Sequence, residues 1–225
     1  MWDEVLAAIR AAKQVPPAVV LPVCRDGAVI ARLEPVTWAD ADADAAVALL
    51  AEWRGAAADA FPSQFPVTLS GTQRWLVKQL LETPDRVLFW VTAPDGRRLG
   101  HLGLFRYDPA EREIEIDNVV RGVPGEMPGV MAAALRTLLD WTFEKLGMTA
   151  VFLRVFSDNA RALRLYERLG FREILRVPLA RVQEGEVVRW VEVEGSYRRP
   201  VSRYFVTLGL RGEDRRRTLG QGRAA

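Results

Sequence analysis

Residues 157–171 read SDNARALRLYERLGF, a charged segment that lies between two apolar runs. The run before it, Ala150–Phe156, is β-prone and predicts a strand. Most of the segment itself predicts a short helix over Ala160–Leu169, which Gly170 ends because glycine adopts the left-handed conformation common at helix C-termini. The run after it, Phe171–Val182, predicts a second strand. The segment therefore belongs to a strand–helix–strand unit.

The residues before this unit predict a meander of strands followed by a helix. A loop rich in Gly and Pro over residues 121–129 leads into a long helix, Val130–Leu146, which Gly147 ends. Two turn sequences, each containing Asp and Pro, separate the β-prone runs that precede the loop. The predicted strands of this meander are Val87–Thr92, Leu99–Tyr107 and Glu113–Val120.

The two ends of the chain add helices and further strands. Asp26-Gly27 between two apolar runs predicts a β-hairpin, because glycine accepts a positive φ without strain. Ser70 is the predicted N-cap of a helix over Thr72–Leu81, and residues 61–66 are predicted to be irregular. The predicted helices are Asp3–Lys13, Asp40–Trp53 and Thr72–Leu81, and the predicted strands are Val19–Val23, Ala28–Leu33, Glu186–Glu194 and Val201–Leu210.

This order of elements predicts an α+β fold. The sheet is expected to be mixed and mainly antiparallel, flanked by helices, with one parallel crossover. We expect a single domain over residues 31–210. Residues 1–30 are expected to form a helix and the start of a hairpin, packed on the domain or appended to it. Residues 211–225 are expected to be a basic, flexible tail.

Composition limits the class of protein. Of the 225 residues 49% are hydrophobic and 27% charged, which is typical of a globular chain and excludes wholesale disorder. The apolar runs are far shorter than a membrane span and the N-terminus is unlike a signal peptide, so we expect no membrane partner and a cytoplasmic location. Cys24 is the single cysteine, so no internal disulfide is expected, nor a metal site built on a Cys/His cluster.

The basic residues concentrate at the C-terminus. Five Arg face two acidic residues within 211–225, whereas the rest of the chain has a net charge of −1. No aromatic residue interleaves with these arginines, so a solvated terminus is favoured and no nucleic-acid partner is expected.

The segment 157–171 resembles the N-x-x-A-x-x-L-Y-x-x-x-G-F signature of the GNAT superfamily of acyl-CoA-dependent N-acyltransferases. The order of predicted elements fits the same superfamily over roughly residues 30–210, which implies a sheet with splayed central strands. The positions that match the signature are Asn159, Ala162, Leu165, Tyr166, Gly170 and Phe171.

The phosphate-binding loop departs from the superfamily's R/Q-x-x-G-x-G/A pattern. Pro124 and Glu126 occupy its strict positions, and Gly129 follows Arg121 by eight residues instead of five. A glycine-rich loop before a helix is an anion site because free N–H groups and the helix dipole meet there, although such loops are as often simple turns. The longer loop leaves the individual pyrophosphate contacts open.

The resemblance implies acetyl-CoA as co-substrate. Its pantetheine arm would lie between the splayed strands, with a hydrogen bond from Asn159, and its diphosphate would lie on the loop amides. Arg161 or Arg164 would approach the adenosine phosphates; the alternative is that both arginines form a solvated helix face. The residues expected to bind it are Val119, Val120, Arg121, Gly125, Gly129, Val130, Asn159, Arg161 and Arg164.

Two kinds of side chain are expected to move protons. Tyr166 is the expected acid, because a phenol can donate to the departing thiolate; the alternative is a core tyrosine. Glu113, Glu115 and Asp117 alternate along one strand and share a face. Glu115, in a Glu-Ile pair like those of related acyltransferases, is the leading base and Asp117 the second, unless both simply face solvent or arginines.

The acceptor side is expected near the first two helices of the domain. Trp53, Arg54 and Trp75 gather there, as would suit a sugar, a nucleotide base or a diphosphate, although aromatic residues at helical spacing also build cores. His101, the single histidine, is either a base or acceptor contact or a sheet histidine with satisfied hydrogen bonds.

These features predict an N-acetyltransferase that moves an acetyl group directly to a primary amine of a small molecule, such as a nucleotide-linked amino sugar. A protein N-terminal acetyltransferase of the ribosomal-protein type and a non-catalytic acyl-CoA-binding domain stay open as alternatives. An amino-sugar acetyltransferase is expected to have a closed acceptor pocket, and a protein N-terminal acetyltransferase an open groove. A homodimer is possible.

Overall fold

The computed structural model describes residues 3–194 and 201–215. Ten strands form one sheet in the order β1-β2-β4-β5-β6-β7-β10-β8-β9-β3. The β6–β7 pair is parallel and every other neighbouring pair is antiparallel. The strands are β1 (Leu21–Arg25), β2 (Ala28–Pro35), β3 (Ser63–Gln64), β4 (Val87–Thr92), β5 (Arg98–Asp108), β6 (Glu113–Arg121), β7 (Ala150–Phe156), β8 (Arg172–Glu184), β9 (Val187–Glu192) and β10 (Arg203–Arg211).

Helices cover both faces of the sheet. On the first face, called face A, the apolar sides of α1, α5 and α6 pack against the strands. On face B, α2, α3 and α4 pack over β4 and the end of β6. The helices are α1 (Glu4–Ala12), α2 (Trp38–Ala41), α3 (Asp44–Ala56), α4 (Leu69–Trp75), α5 (Val130–Asp140) and α6 (Ala160–Arg168); π-helical turns continue α4 over Leu76–Leu81 and α5 over Trp141–Lys145.

The two central strands separate soon after they begin to pair. The register of β6 with β7 runs only from Glu113↔Ala150 to Glu115↔Phe152, although both strands continue. Beyond this point β6 carries a bulge: His101↔Val120 and Gly103↔Asp117 are successive pairs, so Asn118 and Val119 together face the single residue Leu102 of β5. The result is an opening between β6 and β7.

The bulge also exchanges the two faces of β6. Ile114 and Ile116 are buried on face A, whereas Val120 is buried on face B. In an unbroken strand these even-numbered residues would all share one face, so the extra residue rotates the end of β6.

Several local predictions need correction. Thr68, whose side chain accepts from the amide of Gly71 at 3.1 Å, caps α4 in place of Ser70. The helix predicted over Asp40–Trp53 is two helices, α2 and α3. The segment predicted to be irregular contains β3, which pairs with β9. A strand of two residues is too short to leave a pattern in the sequence.

The chain ends pack more closely than the sequence suggests. Val5, Ile9 and Ala12 of α1 are buried in the core of face A. Arg215, placed by the sequence in a flexible tail, is 9% exposed and forms an ion pair with Asp140. The rest of the predicted tail, residues 216–225, lies outside the described residues. No helix among the described residues is long and apolar enough to cross a membrane.

Candidate active site

The bulge of β6 is hydrogen-bonded to a buried histidine. His101 Nδ1 lies 2.7 Å from the carbonyl oxygen of Asn118, whose φ of 52° is left-handed. A carbonyl only accepts, so Nδ1 carries the proton and donates. Burial lowers the pKa of His101 to about 4, so the ring is neutral at pH 7.

Trp53 supports the same region. It is 2% exposed and stacks on the His101 ring, with centroids 6.0 Å apart. Its indole packs so closely on Gly122 that a Cβ there would lie 1.9 Å from a ring carbon, so only glycine fits. Trp53 and His101, predicted as substrate contacts, are therefore buried supports of the strand end in this structure and present almost no surface to an acceptor.

The two predicted base carboxylates lie on face B beside guanidinium groups. Glu115 is paired with Arg106 at 2.8 Å and with Arg154 at 3.3 Å. Asp117 is paired with Arg86 and accepts from the amide and side chain of Asn118, each at 2.8 Å. Glu115 is at the last paired position of β6 and β7, whereas Asp117 lies beyond it, at the opening.

The predicted phosphate loop leaves four backbone donors free. The amides of Gly122 and Val123 donate to the carbonyl of Leu99, and the amide of Val130 donates to that of Met127. Among the described residues, the amides of Gly125, Glu126, Met127 and Gly129 have no hydrogen-bond acceptor. The amide of Val130, which was also predicted to bind the diphosphate, donates to the carbonyl of Met127 at 3.1 Å in this structure.

Three side chains shape this loop. Arg121 bonds the loop's own carbonyls, those of Val123 at 3.3 Å and Glu126 at 2.6 Å, so its guanidinium is a brace for the loop. Gly129 has a φ of +82° at the start of α5, which favours glycine. Glu126 is paired with Arg97, which offsets an acidic charge at an anion site.

Arg25, which sequence reasoning missed, also reaches the loop. Its Nη1 donates to the carbonyl of Pro128 at 2.7 Å, and a Cβ added at Gly129 would lie 3.4 Å from the same nitrogen. No carboxylate among the described residues pairs with it. Its position in a hairpin turn gave no signal in the sequence, because the loop lies 103 residues away.

The two strand residues predicted to bind pantetheine through their backbone, Val119 and Val120, are placed differently. Val119 belongs to the bulge and shares the opposite residue Leu102 with Asn118. The carbonyl oxygen of Val120 lies against Gly100 of β5, at 2.3 Å from where a Cβ would be. The carbonyl of Val120 therefore points toward β5, away from the opening between β6 and β7.

Helix α6 carries the remaining predicted residues. Asn159 caps the helix and accepts from the amide of Ala162 at 3.1 Å. Tyr166 is 7% exposed and packs edge-to-face on Phe171. Burial raises the pKa of Tyr166 above its usual value, so the phenol keeps its proton at neutral pH. Arg161 and Arg164 lie on the exposed side of the helix.

A connector crosses from one side of the opening to the other on face B. We call residues 57–68, between α3 and α4, the strap. Its first residue, Ala57, packs against the apolar cluster that contains Val120 of β6, and its middle residues Ser63 and Gln64 form β3, which pairs with β9 beyond β7, β10 and β8. Arg54 donates to the carbonyl of Ser63 and its guanidinium lies 3.8 Å from the ring centre of Phe61.

The far side of the strap is tied to the other strands. Pro62 accepts from the amide of Trp190 at 2.8 Å, and Asp59 accepts, through its carbonyl, from Arg203 at 3.0 Å. Trp75, the other predicted aromatic wall, is half-buried with the Arg86 guanidinium 5.5 Å from its ring centre. The structure thus places Arg54, at the end of α3, against the strap and Trp75 beside the Asp117–Arg86 pair.

Comparison with known families agrees with this architecture. The family model described as an acetyltransferase (GNAT) domain matches residues 32–172, well over half of the chain. The chain belongs to the GNAT acetyltransferase family. The resemblance carried by residues 157–171 and the predicted fold class are confirmed.

Solved structures share the GNAT fold. A probable GNAT-family acetyltransferase from Chromobacterium violaceum is 21% identical, with a TM-score of 0.63 over 86% of this chain and 87% of the other. A mutant spermidine/spermine N-acetyltransferase SpeG from Vibrio cholerae is 14% identical, with a TM-score of 0.59 over 83% of this chain and 96% of the other. At this identity the similarity establishes the fold and leaves the acceptor open.

Membership of the GNAT family also defines the reaction class. This GNAT protein is an acyl-CoA-dependent N-acetyltransferase, and the family generally uses acetyl-CoA as co-substrate. The opening between β6 and β7 and the free amides before α5 fit an extended arm that ends in a diphosphate.

Proposed function

We propose that this protein transfers an acetyl group directly from acetyl-CoA to a primary amine of a small molecule, a nucleotide-linked amino sugar being the leading acceptor. The observation that supports it most is the opening after Glu115↔Phe152, where two adjacent strands part beside a loop with four free amides. Backbone donors and acceptors exposed in this way can bind an extended, amide-containing ligand as an added strand.

In this proposal acetyl-CoA lies along the opening. The backbone of Val119 pairs with the pantetheine amides, and the diphosphate accepts from the free amides between Gly125 and Gly129. Arg25 lies at this loop without a carboxylate partner among the described residues, and its charge adds attraction for the phosphates. Arg161 and Arg164, on the exposed side of α6, are free to reach the adenosine phosphates, and Asn159 begins the same helix.

The transfer needs one base and one acid. The amine nitrogen attacks the thioester carbonyl carbon, a C–N bond forms, and the C–S bond then breaks. Glu115 or Asp117 accepts the amine proton, directly or through water, and Tyr166 gives its phenolic proton to the departing sulfur. Both carboxylates are held in place by ion pairs with arginines, Asp117 with Arg86 and Glu115 with Arg106 and Arg154.

The strap favours a small acceptor over an extended peptide. It crosses face B and is bonded to both sides of the opening, through Arg54 on one side and Trp190 and Arg203 on the other. A protein N-terminal acetyltransferase would need an open groove here. Arg54 has no carboxylate partner among the described residues, which suits an acceptor that carries an anionic group.

Calorimetry with acetyl-CoA, followed by release of free thiol across a panel of amines, tests the proposal. We expect acetyl-CoA to bind and a UDP-linked amino sugar to be acetylated faster than a peptide with a free N-terminus. Absence of acetyl-CoA binding would refute the proposed function. Faster turnover of the peptide would instead support the protein N-terminal acetyltransferase, and binding without any turnover would support a non-catalytic domain.

A further inference from the structure

The bulge of β6 depends on a residue in an unfavourable backbone conformation. Asn118 has a φ of 52°, in the left-handed region, which costs free energy for a residue with a side chain. Asn adopts this region more easily than most residues, but such a conformation persists only where its surroundings hold it. The contacts around Asn118 therefore stabilise the bulge itself.

Three hydrogen bonds hold Asn118 in this conformation. Asp117 makes two of them: its Oδ1 accepts from the backbone amide of Asn118 and its Oδ2 from the side-chain amide, each at 2.8 Å. The third comes from His101, whose Nδ1 donates to the Asn118 carbonyl at 2.7 Å. The amide, the carbonyl and the side-chain nitrogen of Asn118 are thus all bonded.

Arg86 in turn fixes the carboxylate of Asp117. Its Nη2 forms an ion pair with Oδ2 of Asp117, and its Nη1 donates at 3.0 Å to the carbonyl of Gln79, in the π-helical turn that continues α4. The guanidinium also lies 4.5 Å from the ring centre of Phe105 on β5. Because the Arg86 side chain is only 12% exposed and bonded through two nitrogens, it holds the carboxylate in one position.

These contacts make Asp117 poorly suited to act as a base. Both of its oxygens accept hydrogen bonds from Asn118. Hydrogen bonds to a carboxylate are strengthened by its negative charge, and a carboxylate that takes up a proton loses that charge. Protonation of Asp117 would therefore loosen the bulge in each catalytic cycle.

Glu115 has a different environment. Among the described residues it accepts only from arginine side chains, Arg106 at 2.8 Å and Arg154 at 3.3 Å. The Arg106 side chain is 52% exposed, and Arg154 also pairs with Glu192. Either arginine can move without a change in the backbone of β6, so Glu115 can take up a proton while the strand keeps its shape.

We propose that Asp117 and Arg86 are positioning residues for acetyl-CoA: they keep the bulge in the shape that accepts the pantetheine arm, and the amine proton goes to Glu115. The inference rests on the proposed function and separates the roles of the two carboxylates that were alternative bases there. It also gives a role to Arg86, which the sequence did not single out.

The first test compares Asp117→Asn with Glu115→Gln, using calorimetry with acetyl-CoA and thiol release at saturating acetyl-CoA with the amine of the panel that turns over fastest. In Asp117→Asn one oxygen still accepts, but an NH2 group replaces the other and faces two donors. We expect the Kd for acetyl-CoA to rise about five- to tenfold and kcat to change less than about threefold. Glu115→Gln should instead lower kcat about 100-fold and leave the Kd unchanged.

The second test removes the arginine. Arg86→Met should raise the Kd for acetyl-CoA about five- to tenfold, and Arg86→Lys, which keeps a charge near Asp117, should recover most of the affinity. Arg215→Met is the matched control, because the Arg215 side chain is 10% exposed, lies 5.4 Å from the ring centre of Phe143 and pairs with Asp140 of α5, which covers the other face of the sheet. It should lower thermal stability, as Arg86→Met does, without changing the Kd.

The outcomes distinguish this inference from the proposed function. A loss of about 100-fold in kcat in Asp117→Asn would identify Asp117 as the base and overturn the inference, with the proposed function left intact. An unchanged Kd in Asp117→Asn or Arg86→Met would overturn the positioning role, and so would an equal rise in Arg215→Met. Full kcat in Glu115→Gln would overturn the assignment of the base. If the wild-type protein binds no acetyl-CoA, the proposed function itself fails, and the inference fails with it.

Discussion

At the scale of single residues, burial has different consequences for the proposed acid Tyr166 and for the structural histidine His101. Tyr166 and His101 are both buried and both titratable, and burial favours the neutral form of each. For the tyrosine this means a retained proton that can be given to a leaving group. For the histidine it means a neutral ring with one proton committed to the Asn118 carbonyl.

Replacing Tyr166 with Phe should lower kcat about 100-fold or more while leaving the affinity for acetyl-CoA nearly unchanged, because only the proton donor is removed. Single-turnover rates and calorimetry measure the two quantities. Tyr107→Phe, at the end of β5 where the phenol interacts with Asp3, is the matched control and should keep full activity. Wild-type turnover in Tyr166→Phe would eliminate the phenol as the acid.

His101 should make the protein less stable in acid. Its pKa is about 4 when folded and near 6.5 when unfolded, so between these values only the unfolded chain takes up the proton. The contribution is fully present above pH 6.5, and about 3 kcal/mol of unfolding free energy is lost as the pH falls to 4. Denaturant unfolding at several pH values should show a shallower dependence in His101→Gln; identical slopes would contradict the assignment.

At the scale of elements, the loop before α5 depends on a hairpin far away in the chain. The turn between β1 and β2 presents Arg25 to the carbonyl of Pro128, and Asp26 and Gly27 complete that turn with positive φ. The loop itself is braced by Arg121. An anion site that looks local in sequence is therefore built from two separate elements.

Arg25→Gln should raise the KM for acetyl-CoA about fivefold with little effect on kcat, since an exposed cation near a phosphate contributes about 1 kcal/mol. Initial rates at low and moderate salt provide the measurement, and the difference from wild type should shrink as salt screens the charge. Arg32→Gln, in the neighbouring strand, is the control because its guanidinium is paired with Glu34. A KM equal to wild type at low salt would remove Arg25 from the site.

At the scale of the whole molecule, the N-terminal helix is docked through a buried amine. Lys13 is 3% exposed and donates to the carbonyls of Leu80 at 3.3 Å and Thr83 at 2.6 Å, which joins α1 to the turn after α4. Burial lowers the pKa of Lys13 to about 8, because the charged form loses its hydration. The helix that the sequence left as packed or appended thus contributes to the core.

Lys13 should make stability rise in mild alkali. Between pH 8 and about 10.5 the unfolded chain keeps the proton that the folded chain releases, so the unfolding free energy increases with pH; below pH 8 both states are protonated and the burial cost is constant. Lys13→Met should flatten this rise in denaturant unfolding between pH 7.5 and 9.5. Lys145→Met, at an exposed lysine, should retain it. A rise of the same size in Lys13→Met would assign the effect to other groups.

The sequence by itself determined those elements whose signals lie within one short segment of the chain. The strand–helix unit around residues 157–171 has its apolar spacing, its cap and its terminal glycine within one short segment, so α6, the fold class and the family were all predictable. The meander of β4, β5 and β6 was equally predictable, because turn residues separate its strands.

Only the tertiary structure decided which of those residues meet. His101 and Trp53 resemble ligand contacts until the sheet and α3 bury them together, and the bulge at Asn118 becomes visible only when β6 is aligned with β5. Arg25 reaches its loop, and the strap reaches β9, across separations for which no sequence period exists. Such contacts depend on the packing of the whole chain, because the free energy that holds them comes from burial shared by many distant residues.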